Sequence, residues 1–149
     1  MPQVSTVPPE ALPQIPSALQ VEHRVIHEAL LRATKAPGDI GTAARELAGA
    51  LHDHFVREEE IALPPLGLLA ALARGEFTPE MRAVLPMTEA LRAELPRMLD
   101  EHQAIHAATR RLGEVARKAG NAEVQQLAEA LALHAQSEEE VFYPAALLV

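Results

Sequence analysis

The feature that most constrains this chain is an internal duplication of histidine- and glutamate-bearing segments. Glu22-His23-Arg24-Val25-Ile26-His27 matches Glu101-His102-Gln103-Ala104-Ile105-His106. His54-Phe55-Val56-Arg57-Glu58-Glu59-Glu60 matches His134-Ala135-Gln136-Ser137-Glu138-Glu139-Glu140, again about 80 residues downstream. Pro64 and Pro144 extend the second match, each ten residues after its histidine. Each half therefore carries one segment of the form E-H-x-x-I-H and one of the form H-x-x-x-E-E-E-x-x-x-P.

The apolar pattern around these motifs has the helical period, and nothing alternates with period two for long enough to make a strand. Alanine and leucine, both helix formers, carry the apolar fraction, while aromatics are only 3% of the chain. Ser17 is placed to cap a helix running to about Ala36, where Pro37-Gly38 stops it. Asp39 caps a second helix that runs through Glu60, is disturbed at Pro64-Pro65 and continues through LGLLAALARG to near Gly75. Thr78-Pro79-Glu80 restarts the chain with a capping threonine and proline at the first helical position. Pro86 and Pro96 interrupt the next segment, so the third long helix is expected to be clean only from about Pro96 to Ala119. Gly120-Asn121 ends it and caps a fourth, which runs to about Leu147 with a disturbance at Pro144. The expected fold is all-α: two helical hairpins related by a pseudo-two-fold internal repeat, packed as a four-helix bundle. Residues 1–16, with five prolines, form a tail, and residues 17–149 form the bundle.

Composition excludes several classes. Thirteen Lys+Arg against 21 Asp+Glu give a formal charge of −8, which argues against nucleic acid as a partner. The absence of cysteine removes disulfide frameworks, thiolate nucleophiles and cysteine-ligated clusters. The start of the chain lacks the basic and apolar regions of a signal peptide. The longest apolar run, Ile61 to Ala73, is thirteen residues with two prolines, against the roughly twenty that a bilayer requires. The reading is a cytoplasmic protein with no membrane partner.

Residues at i and i+4 share one helix face. His54 therefore projects with Glu58, His134 with Glu138, His23 with His27 and His102 with His106. Core-type residues such as Ile26, Leu30, Leu51, Ile105 and Leu131 surround them. Four imidazoles and two carboxylates inside an apolar bundle are costly without a partner, and a mixed nitrogen–oxygen set suits iron, zinc, manganese or copper. Six ligands from two similar halves point to two ions. Each is expected to take the two histidines of its own half, with the two carboxylates bridging between them. Glu59, Glu60, Glu139 and Glu140 rotate away from His54 and His134 and read as solvated, as does His52. No Glu-x-x-His, H-E-x-x-H, G-x-S-x-G or Walker loop is present.

The order His, His-x-x-x-Glu, His, His-x-x-x-Glu on four helices resembles the hemerythrin-like (HHE cation-binding) family over about residues 17 to 147. The resemblance implies an up-down-up-down four-helix bundle around a non-haem centre of two Fe ions, oxo- or hydroxo-bridged. It implies His23, His54, His102 and His134 as terminal ligands and Glu58 and Glu138 as bridges. Oxygen-carrying members end in His-x-x-x-x-Asp, whereas this chain has His134-x-x-x-Glu138, closer to the bacterial nitrosative-stress and iron–sulfur repair members. Those carry a cysteine-containing N-terminal segment, which this chain does not share.

His106, four residues after His102, matches the fifth histidine of the oxygen carriers and joins the metal set on that resemblance; His27 stands in the same relation to His23 and is left out of it. With two histidines, two carboxylate oxygens and one oxo bridge, an iron retains one open position, and an added histidine closes it. Either histidine can instead hydrogen-bond a carboxylate beside the metal. Phe142 follows Glu138 by four and is expected to face the site as ordinary core, with Ala62 at the matching position. Tyr143 is expected to pack, partly exposed, beside it, the alternative being a hydrogen-bond donor or redox residue near the iron. The LGLLAALA stretch is expected to close one end of the bundle in preference to forming a dimer contact. The function expected is binding of O2 or a related small ligand, for storage, delivery or sensing. The alternative is a di-iron enzyme that handles peroxide or nitric oxide in the oxidative or nitrosative stress response. The chain is expected to be a monomer or homodimer.

Overall fold

A computed structural model of the chain describes residues 13–149, so residues 1–12 of the tail lie outside the described residues. The four long helices are α1 (Ser17–Thr34), α2 (Gly38–Arg57), α4 (Val84–Lys118) and α5 (Ala122–Ser137). Two short ones, α3 (Leu69–Ala73) and α6 (Tyr143–Leu148), follow α2 and α5. α1 packs on α2 and α5, and α4 packs on the same two helices, which closes an up-down-up-down ring. Among the described residues there is no strand, and no helix is long and apolar enough to cross a membrane.

The hairpin turns are built as the sequence predicts. Gly38 (φ 70°) and Gly120 (φ 68°) take the left-handed conformation that ends the preceding segment. The Asn121 side chain accepts from Val124 N at 3.1 Å and caps α5. Three other expected caps are not made. α1 starts after Pro16, α2 after Pro37, and Thr78 makes no side-chain cap to the tight turn Pro79–Ala83. Gly67 sits so close to the Gln14 backbone that a Cβ would collide with it, which seats residues 13–16 against the bundle.

The expected break at Pro86 and Pro96 does not occur, because α4 is continuous over 35 residues, about 52 Å. Pro86 falls in the first turn of the helix, where an amide hydrogen has no intrahelical partner to lose. Pro96 lies in the interior, but it and Arg92 face solvent, so water meets the carbonyl that loses its donor. Leu91 and Met98, fully buried on the opposite face, hold the helix in line on both sides of the proline.

The disturbance near Pro64 and Pro144 takes a specific form. Glu58–Ala62 and Glu138–Phe142 are π turns, the same feature in both halves. Leu63 N donates to Glu58 O at 2.9 Å, and Tyr143 N donates to Glu138 O. A proline just beyond cannot donate, and its ring crowds the carbonyl four residues back, so the turn widens by one residue. The LGLLAALA stretch closes one end of the bundle: Leu66, Leu68 and Ala71 are buried, the last two against Met81 and Val84. One apolar cluster, which includes Leu30, Leu47, Leu112 and Leu131, fills the half nearer the hairpin turns. A second, around Leu63, Leu91 and Met98, fills the other half. The histidine motifs lie between them.

Candidate metal centre

The six repeated residues converge. His23, His54, Glu58, His102, His134 and Glu138 are each 4% exposed or less. They form two groups whose donor atoms lie within 4.8 Å of one another: His54, Glu58, His102 and Glu138, and His23, Glu58, His134 and Glu138. In the first group, His54 Nε2 and His102 Nε2 are 2.8 Å apart, and Glu58 Oε1 is 2.5 Å from His54 Nε2. In the second, His23 Nε2 and His134 Nε2 are 3.0 Å apart, and Glu138 Oε1 is 3.4 Å from His134 Nε2. Glu58 turns one oxygen to each group, because its Oε2 is 3.7 Å from His23 Nε2.

This grouping corrects the expectation that each histidine pair comes from one half of the repeat. His54 of the first half meets His102 of the second, and His23 meets His134. Periodicity places each histidine on an inward face, but the ring order α1–α2–α4–α5 decides which inward faces meet at one level.

Each pair is oriented from outside by carboxylates. His134 Nδ1 donates to Glu22 at 2.6 Å, and His102 Nδ1 donates to Glu139 at 2.8 Å. His23 Nδ1 reaches Glu59 at 3.5 Å, and His54 Nδ1 lies 3.7 Å from Glu101. These four acids are themselves repeat positions, Glu22 with Glu101 and Glu59 with Glu139. Glu139, half-buried against His102, corrects its reading as solvated, whereas Glu59 is exposed as expected and reaches His23 only at 3.5 Å. Both do rotate away from the histidine of their own helix, but toward one on a neighbouring helix. The signal was present in the duplicated E-H and E-E-E. Glu60 and Glu140 are exposed as expected.

The donor set fits a cation. A hydrogen-bonded Nδ1–H leaves the lone pair on Nε2, so His102 and His134 aim lone pairs at a partner nitrogen and at carboxylate oxygens. Glu58 Oε2 and Glu138 Oε2 are buried without a hydrogen-bond partner, at a cost of roughly 1–3 kcal/mol each. Protonation reflects the same strain. Burial pushes Glu138 well above the usual carboxylate range, and the neighbouring charge of Glu58 pushes it further. Burial also acts upward on Glu58, but the His102 and His54 imidazoles beside it outweigh it and hold Glu58 well below that range. Burial alone would lower His102, yet Glu58 and Glu139 together raise it. At His134 burial prevails and the imidazole is lowered. Without a metal, the carboxylate pair keeps one proton because two buried negative charges cannot stand side by side.

His106 lies outside both groups of four. Its Nε2 donates to Glu139 at 2.9 Å, so Glu139 ties His106 to His102, and these three residues form a smaller, half-buried group. His27 and His52 are exposed and border a cavity of about 810 Å³ between α1 and α2 that reaches His23. The Phe55 ring stacks on His23 there, with centroids 4.5 Å apart.

Tyr143 overturns the expectation of partly exposed packing and takes the hydrogen-bonding place beside the centre that the sequence left open. It is 1% exposed and points into the centre. Its hydroxyl donates to Glu58 and lies 3.0 Å from His102 Nε2 and 3.3 Å from His54 Nε2. A residue five positions after Glu138 points away in an α-helix. In a π turn, closed by an i+5 hydrogen bond, the fifth residue takes the place of the fourth. Phe142 is accordingly half-buried, its ring centroid 6.5 Å from His134.

Residues 14–146 match the family model described as hemerythrin HHE cation binding domain. The chain belongs to that family. Comparison with curated proteins and with solved structures returns no match. The hemerythrin HHE assignment and the buried histidine–glutamate groups agree on a metal-binding bundle, and the residues that would hold the metal are those the repeat singles out.

Proposed function

We propose that this hemerythrin-like protein holds two iron ions and uses them to bind O2 or a related small ligand, for storage, delivery or sensing. The observation that carries the reading is the pair of four-residue groups sharing Glu58 and Glu138. In this reading His54 and His102 hold one ion, His23 and His134 hold the other, and the two carboxylates lie between them. Reduced iron supplies the reversible binding of O2. The protein supplies four imidazoles, three of them hydrogen-bonded from outside by Glu22, Glu59 and Glu139, two carboxylates to offset the charge, and apolar layers above and below. The cavity beside His23 gives a small ligand a route from solvent to one side of the centre. His106 enters through its hydrogen bond to Glu139, which fixes the orientation of His102.

Metal content of protein purified without added metal, read by mass spectrometry, is the first test. Two irons per chain are expected. One zinc per chain, or no metal surviving gel filtration, would end the di-iron reading. The reduced, loaded protein should then give a stable adduct spectrum with O2 that reverses under vacuum; immediate autoxidation without an adduct would count against O2 binding.

A second reading, an enzyme acting on peroxide or nitric oxide, is favoured by one observation. Each group holds two histidines and the shared pair Glu58 and Glu138, and neither includes a third histidine, so the two sides are alike in their nitrogen donors. Rapid O2 evolution from added peroxide, lost in Glu58→Ala, would support it. Absence of turnover with either substrate would remove it.

A further inference from the structure

The two groups differ at one position in a way that changes what one of them can bind. We propose that Tyr143 is itself a metal ligand, through its phenol oxygen, for the ion held by His54 and His102. This rests on the reading of the centre as a metal site.

Ligands held at about 2.1 Å from a metal stand roughly 3.0 Å apart in an octahedral site and roughly 3.4 Å apart in a tetrahedral one. The Tyr143 oxygen is 3.0 Å from His102 Nε2 and 3.3 Å from His54 Nε2, and it is hydrogen-bonded to Glu58 Oε1. The two imidazole nitrogens are 2.8 Å apart, and each faces the same carboxylate oxygen, at 2.5 and 3.6 Å. The phenol oxygen thus stands at coordination-shell separations from both imidazole nitrogens. Glu58 Oε1 lies closer to it and to His54 than two ligands of one ion would stand, contacts that would open as a metal entered. As a hydrogen-bond donor alone the hydroxyl is poorly matched to this place, since its one proton can serve only one of the three acceptors around it. On metal uptake the phenol O–H bond breaks, the proton is released to solvent and an oxygen–metal bond forms; no electron changes hands.

The other half cannot do this. The position that matches Tyr143 is Leu63, which is equally buried but carries no donor atom. The His54–His102 ion is therefore assigned a ligand set of two nitrogens, carboxylate oxygen and phenolate. The His23–His134 ion, beside the cavity, has none but imidazole and carboxylate.

Tyr143 is the only tyrosine in the chain, so the wild-type protein is its own test. The full chain is loaded with ferrous iron, oxidised in air, and its iron counted. A visible phenolate-to-iron charge-transfer band, with resonance-enhanced phenolate ring vibrations under laser excitation in that band, is the expected result. Tyr143→Phe should lose the whole band while still binding iron at the His23–His134 side. Iron bound by the wild type with no such band overturns the ligation and leaves the metal reading standing. A band that persists in Tyr143→Phe overturns it equally. Failure of the wild type to bind iron overturns both. If the variant does not fold, the ring vibrations of the wild type decide alone, because no other residue in the chain can supply a phenolate.

Discussion

The two halves of the centre each hold two histidines and the same two glutamates, and differ in almost everything that surrounds them. On the α2–α4 side, Tyr143 fills the space between the histidines and Glu58, and Glu101 beside His54 is clamped by Arg57. In the repeat, Leu63 holds the position that matches Tyr143 and brings no donor atom; on the α1–α5 side the surroundings are also more open. Glu22 beside His134 is 44% exposed, and Ser137 stands where the other half has arginine. The cavity also opens on this side, against His23 and Phe55. Duplication set the six buried histidines and glutamates; divergence at positions around them made one side closed and polar and the other accessible. A small ligand entering from solvent is expected to meet the His23–His134 side first.

The largest expected effect comes from removing what the two sides share. Glu58 faces both groups, so Glu58→Ala should reduce bound iron from two per chain to fewer than one, read by mass spectrometry after gel filtration. Retention of one full equivalent would mean that Glu58 serves one side only.

The carboxylates behind the histidines sharpen the comparison. Loss of such an orienting partner lowers metal affinity by roughly 10–100-fold. Glu139 is 2.8 Å from His102 and half-buried, whereas Glu59 is 3.5 Å from His23 and 51% exposed. Glu139→Gln should therefore weaken iron binding by about tenfold or more, and Glu59→Gln by clearly less, in competition titrations with a chelator. Equal losses would show that orientation from outside does not distinguish the sides.

The proton held by the carboxylate pair makes uptake pH-dependent. Glu138 is raised above its ordinary value, so in the metal-free fold it remains protonated at a pH where an exposed glutamate, with a value of about 4.3, has ionised. Metal must displace that proton. Apparent affinity should climb by about tenfold per pH unit beyond the ordinary carboxylate range for the Glu138 proton, and more steeply where the Tyr143 phenol proton is released as well; a curve already flat above about pH 5 would show that neither proton is displaced. Stability moves the other way. A raised value in the fold favours the metal-free protein fully below the unfolded value, and that contribution is lost as pH rises through the folded value. The melting temperature of the metal-free chain should thus fall toward higher pH more steeply than that of the loaded chain.

The smallest effects are expected at the edges. Phe55→Ala should speed ligand entry on the His23 side in stopped-flow mixing, with both irons retained. His106→Ala, which removes only a partner of Glu139, should leave two irons bound and weaken affinity less than Glu139→Gln. Loss of an iron in His106→Ala would instead make it a ligand in its own right.

Much of this was legible in one dimension. Helical periodicity and the punctuating glycines and prolines reported the bundle, since each acts within a few residues of itself. The six buried histidines and glutamates were readable because duplication repeated both their types and their spacing. Pro96 misled because a proline's cost depends on whether the carbonyl it frees faces water, which a sequence does not display. Glu139 misled because it faces away from its own helix's histidine and toward His102 on another helix.

By itself, then, the sequence determined the all-α class, the two hairpins and the six inward residues, because these depend on the 3.6-residue period and on local stops. Only the tertiary structure decided that histidines pair across the halves, and that Tyr143 rather than Phe142 reaches the centre. The first depends on which helices are neighbours around the ring. The second depends on a π turn that advances the register by one residue, and a register shift of one residue turns a side chain from the edge of a bundle to its middle.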